Sequence, residues 1–560
     1  MIGRSGLLRR SGLFAIAVTL LLGTGIAVAQ QAGDKVRPLV MFAQTQGADP
    51  QAWQASQLIA QEWRKLGLDV EVRGLPRPAL TERVWNQRQS WDVAMWRFIG
   101  RADRTDPDDF IYNLFHSSTR ERGFNFVGYA NPEVDRLVEA QRVEVDPAKR
   151  RKIVHQAQAV ISADQPYAFL VFPKRTEAFN KASFDPATMT VLPGVGIRNV
   201  WSFTEARPLG ADRTMRVSAG ETMSAIHPLF ISGAVDTWVI ELLYDRLVTI
   251  GKDGLPQPWA AERVTQIDPT TVEVVLRQGM AWHDGRPVTL DDVVFSFDAI
   301  GRGTKVPMYK PFVTDIDRIE RVGERSLRFV LKRPNAAFFT ATLARVNLIP
   351  KHVWEPLFAD IERKPETIEQ VRVDTPIGSG PFKFARWRRG EEVVLDANSA
   401  HFAAPKIERW ILREVPNPEA AIAMMRSGEL NILPEYKGDP EVLEASAKQA
   451  GTLEIVSSLS IGFEFVAFNL RRPPFDNPVL RRALSSVINR GLMVNAAWNG
   501  FADPAASSVS SVLKFWNNPD ARNPTASVAE AQAMLAAGGF VTVGGKLHHP
   551  LGTKDIGGGN

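Results

Sequence analysis

Cysteine is absent from all 560 residues. That excludes disulfides, thiolate metal sites, a cysteine nucleophile and a lipid-bearing cysteine behind an export leader. Tyrosine is scarce, at 6 against 14 Trp and 30 Phe. The aromatic surface is therefore mostly without a hydroxyl, fit to fill a core or to line a cleft. No G-x-S-x-G elbow, H-E-x-x-H pair or glycine-rich phosphate loop occurs, so the familiar signatures of hydrolases, zinc proteases and nucleotide enzymes are missing. Carboxylates far apart in sequence can still meet, which leaves a cleft hydrolase open as an alternative. Long basic runs are also lacking. The formal charge of +5 includes three arginines in the first ten residues, and without them the chain is close to neutral, so nucleic acid is not an expected partner.

The chain is too long for one hydrophobic core and suits two or three domains. It begins with Arg4, Arg9 and Arg10, an apolar run over residues 13–22, and then Ala27-Val28-Ala29 before Gln30. This is the pattern of a cleavable signal peptide over residues 1–29. A membrane anchor is the other reading, but the run is short for a bilayer, which needs about 20 apolar residues. An exported chain without a lipid anchor suits the space between two membranes, so a periplasmic location is expected.

Residues 51–67 place Leu58, Ile59, Trp63 and Leu66 on one helical face and end at Gly67, which suits a left-handed closing position. Alternation over residues 68–72 predicts a strand. Asn131-Pro132 and Asp146-Pro147 each combine a capping side chain with proline at the first helical position. Residues 167–172 form an apolar strand candidate, so residues 35–180 alternate strands and helices. Further on, 271–276 reads as a strand. Thr289 with Asp292 makes a capping-box-like start, and Phe463, Phe465 and Ala467 alternate along another strand. Asn477-Pro478 opens a helix, and a last helix is expected near 528–537. Residues 203–213 read as a linker, and 546–560 as a disordered tail.

Four segments carry a resemblance: WHDGRPVTLDDVVFSF (282–297), IGSGPFKFARWRRGEEVVL (377–395), FNLRRPPFDNPVLRRALSSVINR (468–490) and NFVGYANPEVDRLVEAQRVEVDPAKRRKIVHQAQAVI (125–161). They resemble the extracytoplasmic solute-binding proteins of ABC importers for oligopeptides, dipeptides, nickel and haem, over nearly the whole mature chain. In that family, segments like 213–545 come first and segments like 35–203 last. Here the order is reversed and each segment occurs once. The order therefore reads as a circular permutation, with a rearranged, non-functional gene product as the alternative. The resemblance implies an α/β fold with α+β elements: a large, two-lobed periplasmic-binding-protein clamp with an inserted subdomain. Residues 35–200 and 461–545 would build lobe II. Residues 214–460 would build lobe I, with the subdomain near 250–350. Crossings near 185–200 and 455–468 would form the hinge.

The function so implied is capture of a small peptide or peptide-like solute between the lobes and delivery to an ABC permease in the inner membrane. Neither cofactor, metal nor catalytic residue is implied, and a monomer is expected. RADRTDPDDF at 101–110 resembles the loop whose aspartate receives the ligand's α-ammonium, at Asp103, with turn-capping as the other reading. Arg104 departs from the aromatic usual at its position in peptide-binding members. Trp96, Phe98 and Tyr129 are candidates for the cleft wall, set against core packing. Arg471, with Arg481 and Arg482 as further options, is the candidate for a ligand carboxylate, set against a solvated helix face. A metal-chelate or haem receptor is the alternative, with His116 as its one candidate. Trp282-His283-Asp284-Gly285 reads as a structural turn.

Overall fold

The computed structural model describes residues 32–100, 104–121, 123–230, 233–301 and 305–555. The expected signal peptide and Asp103 lie outside the described residues. Strands Leu39–Gln44, Val93–Phe98 and Phe463–Phe468 are almost continuously apolar, the pattern of strands covered on both faces. Leu39–Gln44 runs parallel to Val70–Leu75 and to Val93–Phe98. Helix Pro50–Arg64, started by the Asp49 side chain on the Ala52 N–H, makes the first of these crossovers. Phe463–Phe468 lies between Val93–Phe98 and Tyr167–Asn180 and is antiparallel to both. A segment from late in the chain thus fills the middle of a sheet begun at its start. The strand expected here from alternation is present, and all six of its residues are buried. Helices cover both sides: Trp63 stacks on Phe468 at 5.9 Å and donates its indole N–H to the Leu484 carbonyl.

The other half continues the same sheet. Its order is Phe382–Arg388, Glu392–Ala397, Arg409–Glu414, Thr214–Ala219, Ile432–Leu433 and then Tyr167–Asn180. A separate four-stranded sheet inserts Ala261–Asp268, Thr271–Leu276, Ser326–Leu331 and Ile316–Arg321. Its Phe329 joins the core that holds Met215 and Trp410.

Tyr167–Asn180 joins the halves. Residues as far as Pro173 pair with Phe463–Phe468 and Ala502–Pro504, and Lys174 onward pairs with Leu453–Leu459. This crossing falls inside a strand, upstream of the 185–200 expected from the sequence. Pro173 has no N–H to give a ladder, and its carbonyl instead accepts from Ser460 N–H at 2.9 Å. The second crossing, 459–463, therefore packs directly on the first.

Two expectations need correction. The linker is shorter than 203–213, because helix Val200–Glu205, started by the Asn199 side chain, buries Phe203 against Trp410 at 5.5 Å. The tail is ordered as far as Asp555: Lys546–His548 pairs with Val541–Val543, and Leu547 is buried. Gly33 and Val36 N–H donate to the His549 and Leu547 carbonyls at 2.9 Å. Gly67, with φ +87°, lies where a Cβ would meet the Leu547 nitrogen at 2.9 Å, so the helix closure and the tail share one constraint. Residues 556–560 lie outside the described residues.

Candidate ligand-binding site

A cavity of about 430 Å³ opens between the two halves, within the range of roughly 300–1,000 Å³ usual for small-molecule sites. One wall is Phe98, Phe124, Arg142 and the start of helix Asp108–Phe115. Facing it are Met308, Tyr309, Phe312, Thr342 and Arg345 of the inserted region. The helix begins where it does because Pro107 precedes it and the Asp106 carboxylate accepts the Asp108 N–H at 2.9 Å. Two aspartates in its first turn meet the positive end of the helix dipole.

These acids are deeply buried and tied across the gap. Asp106 receives two guanidinium N–H bonds from Arg150, at 2.6 and 3.0 Å, and the Thr340 hydroxyl at 2.9 Å. Arg150 also donates to Gln141 Oε1 at 2.8 Å and to the Ala336 carbonyl at 3.2 Å. Asp109 pairs with Arg345 at 2.5 Å. Burial pushes Asp106 up, but Arg150 overrides it and holds the carboxyl below the usual range. Burial dominates at Asp108 and lifts it to about 6, against Arg142 at 3.3 Å. Arg104 lies over Phe98 at 4.6 Å and Phe124 at 5.8 Å. The lining therefore mixes carboxyls, guanidiniums and rings, which suits a solute with charge of both signs and an apolar body. No histidine lines it among the described residues, and no group of three His, Asp or Glu among them is placed to hold a metal.

The family model described as bacterial extracellular solute-binding proteins, family 5 Middle, matches residues 256–555. The chain belongs to this family. It is similar to the oligopeptide-binding protein AppA of Bacillus subtilis, 25% identical over 341 residues, which cover 59% of this chain and 59% of that protein. It is also similar to the dipeptide-binding protein of Escherichia coli, at 24% over 364 residues, 60% of this chain and 65% of that one. The match thus spans less than two thirds of either relative. Among solved structures, AppA in complex with a nonapeptide gives a TM-score of 0.49 at 23% identity, covering 60% of this chain and 66% of that one.

Of the residues singled out in this family-5 chain, Phe98 lines the cavity and so does Arg104, which follows Asp103. Trp96 stands one layer behind, stacked on Trp85 at 6.3 Å with Arg77 over its face at 4.7 Å. Tyr129 is buried and donates its hydroxyl to Asp164 at 2.8 Å. Arg471 donates to the carbonyls of Phe126 and Arg120, at 2.6 and 2.8 Å. Arg481 likewise serves the carbonyls of Phe475, Asp164 and Gln165. Neither Tyr129 nor Arg471 lines the cavity; both brace the chain behind it. His116 sits at a helix end between Ser118 at 2.6 Å and Glu139 at 3.0 Å. Arg142, Arg150 and Arg345 were missed, because no local spacing links them to the acids they meet.

Two buried carboxyls near the crossings give a pH signature. Burial lifts Glu464 and Glu177 each to about 8, despite Arg97 beside the first and a backbone N–H bond to the second. The folded chain thus holds two protons that the unfolded chain releases near 4.5. Stability falls as pH rises between those values, by up to about 1.4 kcal/mol per pH unit for each carboxyl. Urea melts of Glu464→Gln between pH 5.5 and 7.5 should show a shallower decline than the parent. Parallel slopes would mean that Glu464 is ionised in the fold.

Proposed function

We propose that this chain is the ligand-capturing, extracytoplasmic component of an ABC importer for peptide-like solutes, closing its two halves around the solute for a permease of the inner membrane to read. The observation that carries this is the cavity whose acidic helix start, in one half, is bonded by Thr340 and Arg345 of the other. A ligand touching both walls binds the closed arrangement better and so shifts the population toward it. Relatives named for oligopeptides and dipeptides point the same way. A metal chelate would call for a cavity histidine, whereas His116 is engaged by Ser118 and Glu139. Export through the leader would place the protein in the periplasm, and no described helix is long and apolar enough to cross a membrane.

The chain order is read as a circular permutation. Its support is the sheet shared by residues 39–98 and 463–468, and the bonds between 33–36 and 547–549. Asp103, three residues before Asp106, is the proposed acceptor of the ligand's ammonium.

Mass spectrometry of the solute that co-purifies, followed by thermal shift with a peptide panel, tests the reading. A peptide at 100 times its dissociation constant should add about 2.7 kcal/mol. Asp103→Ala should remove most of that gain for peptides with a free amino terminus and spare the weaker gain from N-acetylated ones. A full gain in the variant would take the ammonium away from Asp103.

A further inference from the structure

Beside the strand crossing, Arg175 Nη1, Glu177 Oε1 and Trp238 Nε1 are buried without a hydrogen-bond partner among the described residues, as are the hydroxyls of Thr176 and Ser458. The Arg198 guanidinium carbon lies over the Trp238 ring, 4.9 Å from its centroid, and the residue is 9% exposed. Buried polar groups are nearly always bonded, so such a cluster points to a polar guest. Its chemistry is weighted toward donors. Glu177 Oε2 accepts the Ile197 N–H at 2.9 Å, and burial lifts this carboxyl to about 8, which puts the proton on Oε1. Gly196, with φ +76°, makes room, since a Cβ there would stand 2.0 Å from the Glu177 carboxylate. The indole, the guanidiniums, the two hydroxyls and the protonated carboxyl can each donate a hydrogen, and only the oxygens among them can also accept.

The charges agree. Among the described residues Glu435 is the one ionised acid facing both arginines: burial pushes it up, but Arg175 and Arg198 hold it below the usual range. The other neighbours are engaged, Glu241 with Arg246 at 3.4 Å, Lys437 with Glu221 at 2.5 Å and Arg97 with Asp49 at 3.8 Å. Two guanidiniums against one carboxylate leave a single positive charge unmatched. We infer that Arg175, Arg198 and the Trp238 indole form a carboxylate-binding subsite, which takes one monoanionic carboxylate of the solute. The inference rests on reading the chain as a solute-binding protein and adds the anchor by which it would select acids. Through its other nitrogen Arg175 holds the Gly100 carbonyl at 2.9 Å, the root of the loop that leads to Asp103. This arginine thereby couples the carboxylate site to the segment proposed to take the ammonium.

The test uses di- and tripeptides with free C-termini, their C-terminal amides, N-acylated amino acids and a neutral oligosaccharide, followed by calorimetry and thermal shift on the mature chain. Free acids should bind at least tenfold tighter than amides. Arg198→Met and Arg175→Met should erase that preference, Arg198→Lys should keep part of it, and Trp238→Phe, which retains the ring and loses one N–H, should reduce it a few-fold. Without ligand, Arg198→Met should melt no lower than the parent, whereas a purely structural guanidinium would lower the midpoint when removed. Amides binding as tightly as acids, a preference that survives both Met variants, or no binding by any carboxylate would overturn the subsite. Arg198-dependent binding of N-acylated acids with no peptide binding would uphold the subsite and overturn the peptide reading. Peptide binding without acid preference would do the reverse.

Discussion

Arg150→Met should lower the unfolding free energy by about 3–5 kcal/mol, the cost of leaving a buried carboxylate without its counter-charge. Arg150 is 4% exposed and Asp106 is equally enclosed. The guanidinium gives two bonds to Asp106, two to Gln141 and one to the Ala336 carbonyl. The loss should appear in the first urea transition, since a chain with two halves need not unfold in one step. Removing both charges, as Asp106→Leu with Arg150→Met, should recover a large part of it, because an apolar pair avoids the desolvation penalty altogether. A loss under about 1 kcal/mol in the single variant would mean that Asp106 is hydrated or protonated. The substitution should also loosen the contact between halves, because Thr340 and Ala336 bond the same network from across the gap.

What was legible in the sequence was local. Asn131-Pro132, Asp146-Pro147 and Asn477-Pro478 each start the helix expected of them, with the Asn or Asp side chain accepting backbone N–H bonds. Thr289 and Asp292 exchange bonds at 2.9 and 3.3 Å as the capping-box reading requires. These signals survive because cap and helix lie within four residues. The resemblance carried the family. The walls of the cavity were not legible, since Asp109 and Arg345 stand 236 residues apart and neither has a periodic pattern that announces the other. Nor could sequence tell a guanidinium that meets a ligand from one that braces a loop. Arg471, Arg481 and Arg198 are all arginines near aromatic or polar stretches. Only their surroundings separate them: several carbonyl partners for the first two, and an indole face with other side chains' orphaned polar atoms beside the third. Alternation found the strand Phe463–Phe468 but says nothing of its second face, because whether that face is covered depends on helices from elsewhere in the chain.

The polar tail is the clearest case of a long-range contact hidden by composition, and removing residues 546–555 should cost about 3–5 kcal/mol. Roughly 2 kcal/mol of that is the burial of Leu547, which is 2% exposed. The rest comes from donors left without acceptors, at about 1–3 kcal/mol for a buried set. Asp555 accepts both the backbone N–H and the guanidinium of Arg37, at 2.7 and 2.8 Å, and Arg37 in turn braces Asp92 in the sheet. Asp555 also bonds His549 at 3.1 Å. If the order of segments is a permutation, the converse should hold as well. Joining Asp555 to Gly33 through a short glycine-serine link, and opening the chain at Gly210, where an exposed turn has open space around it, should leave near-ultraviolet circular dichroism unchanged and the melting point no lower. The two segments are already hydrogen-bonded, so closing the loop between them costs little entropy. A rejoined chain that fails to fold, beside a truncated chain as stable as the parent, would show that these contacts do not hold the sheet together.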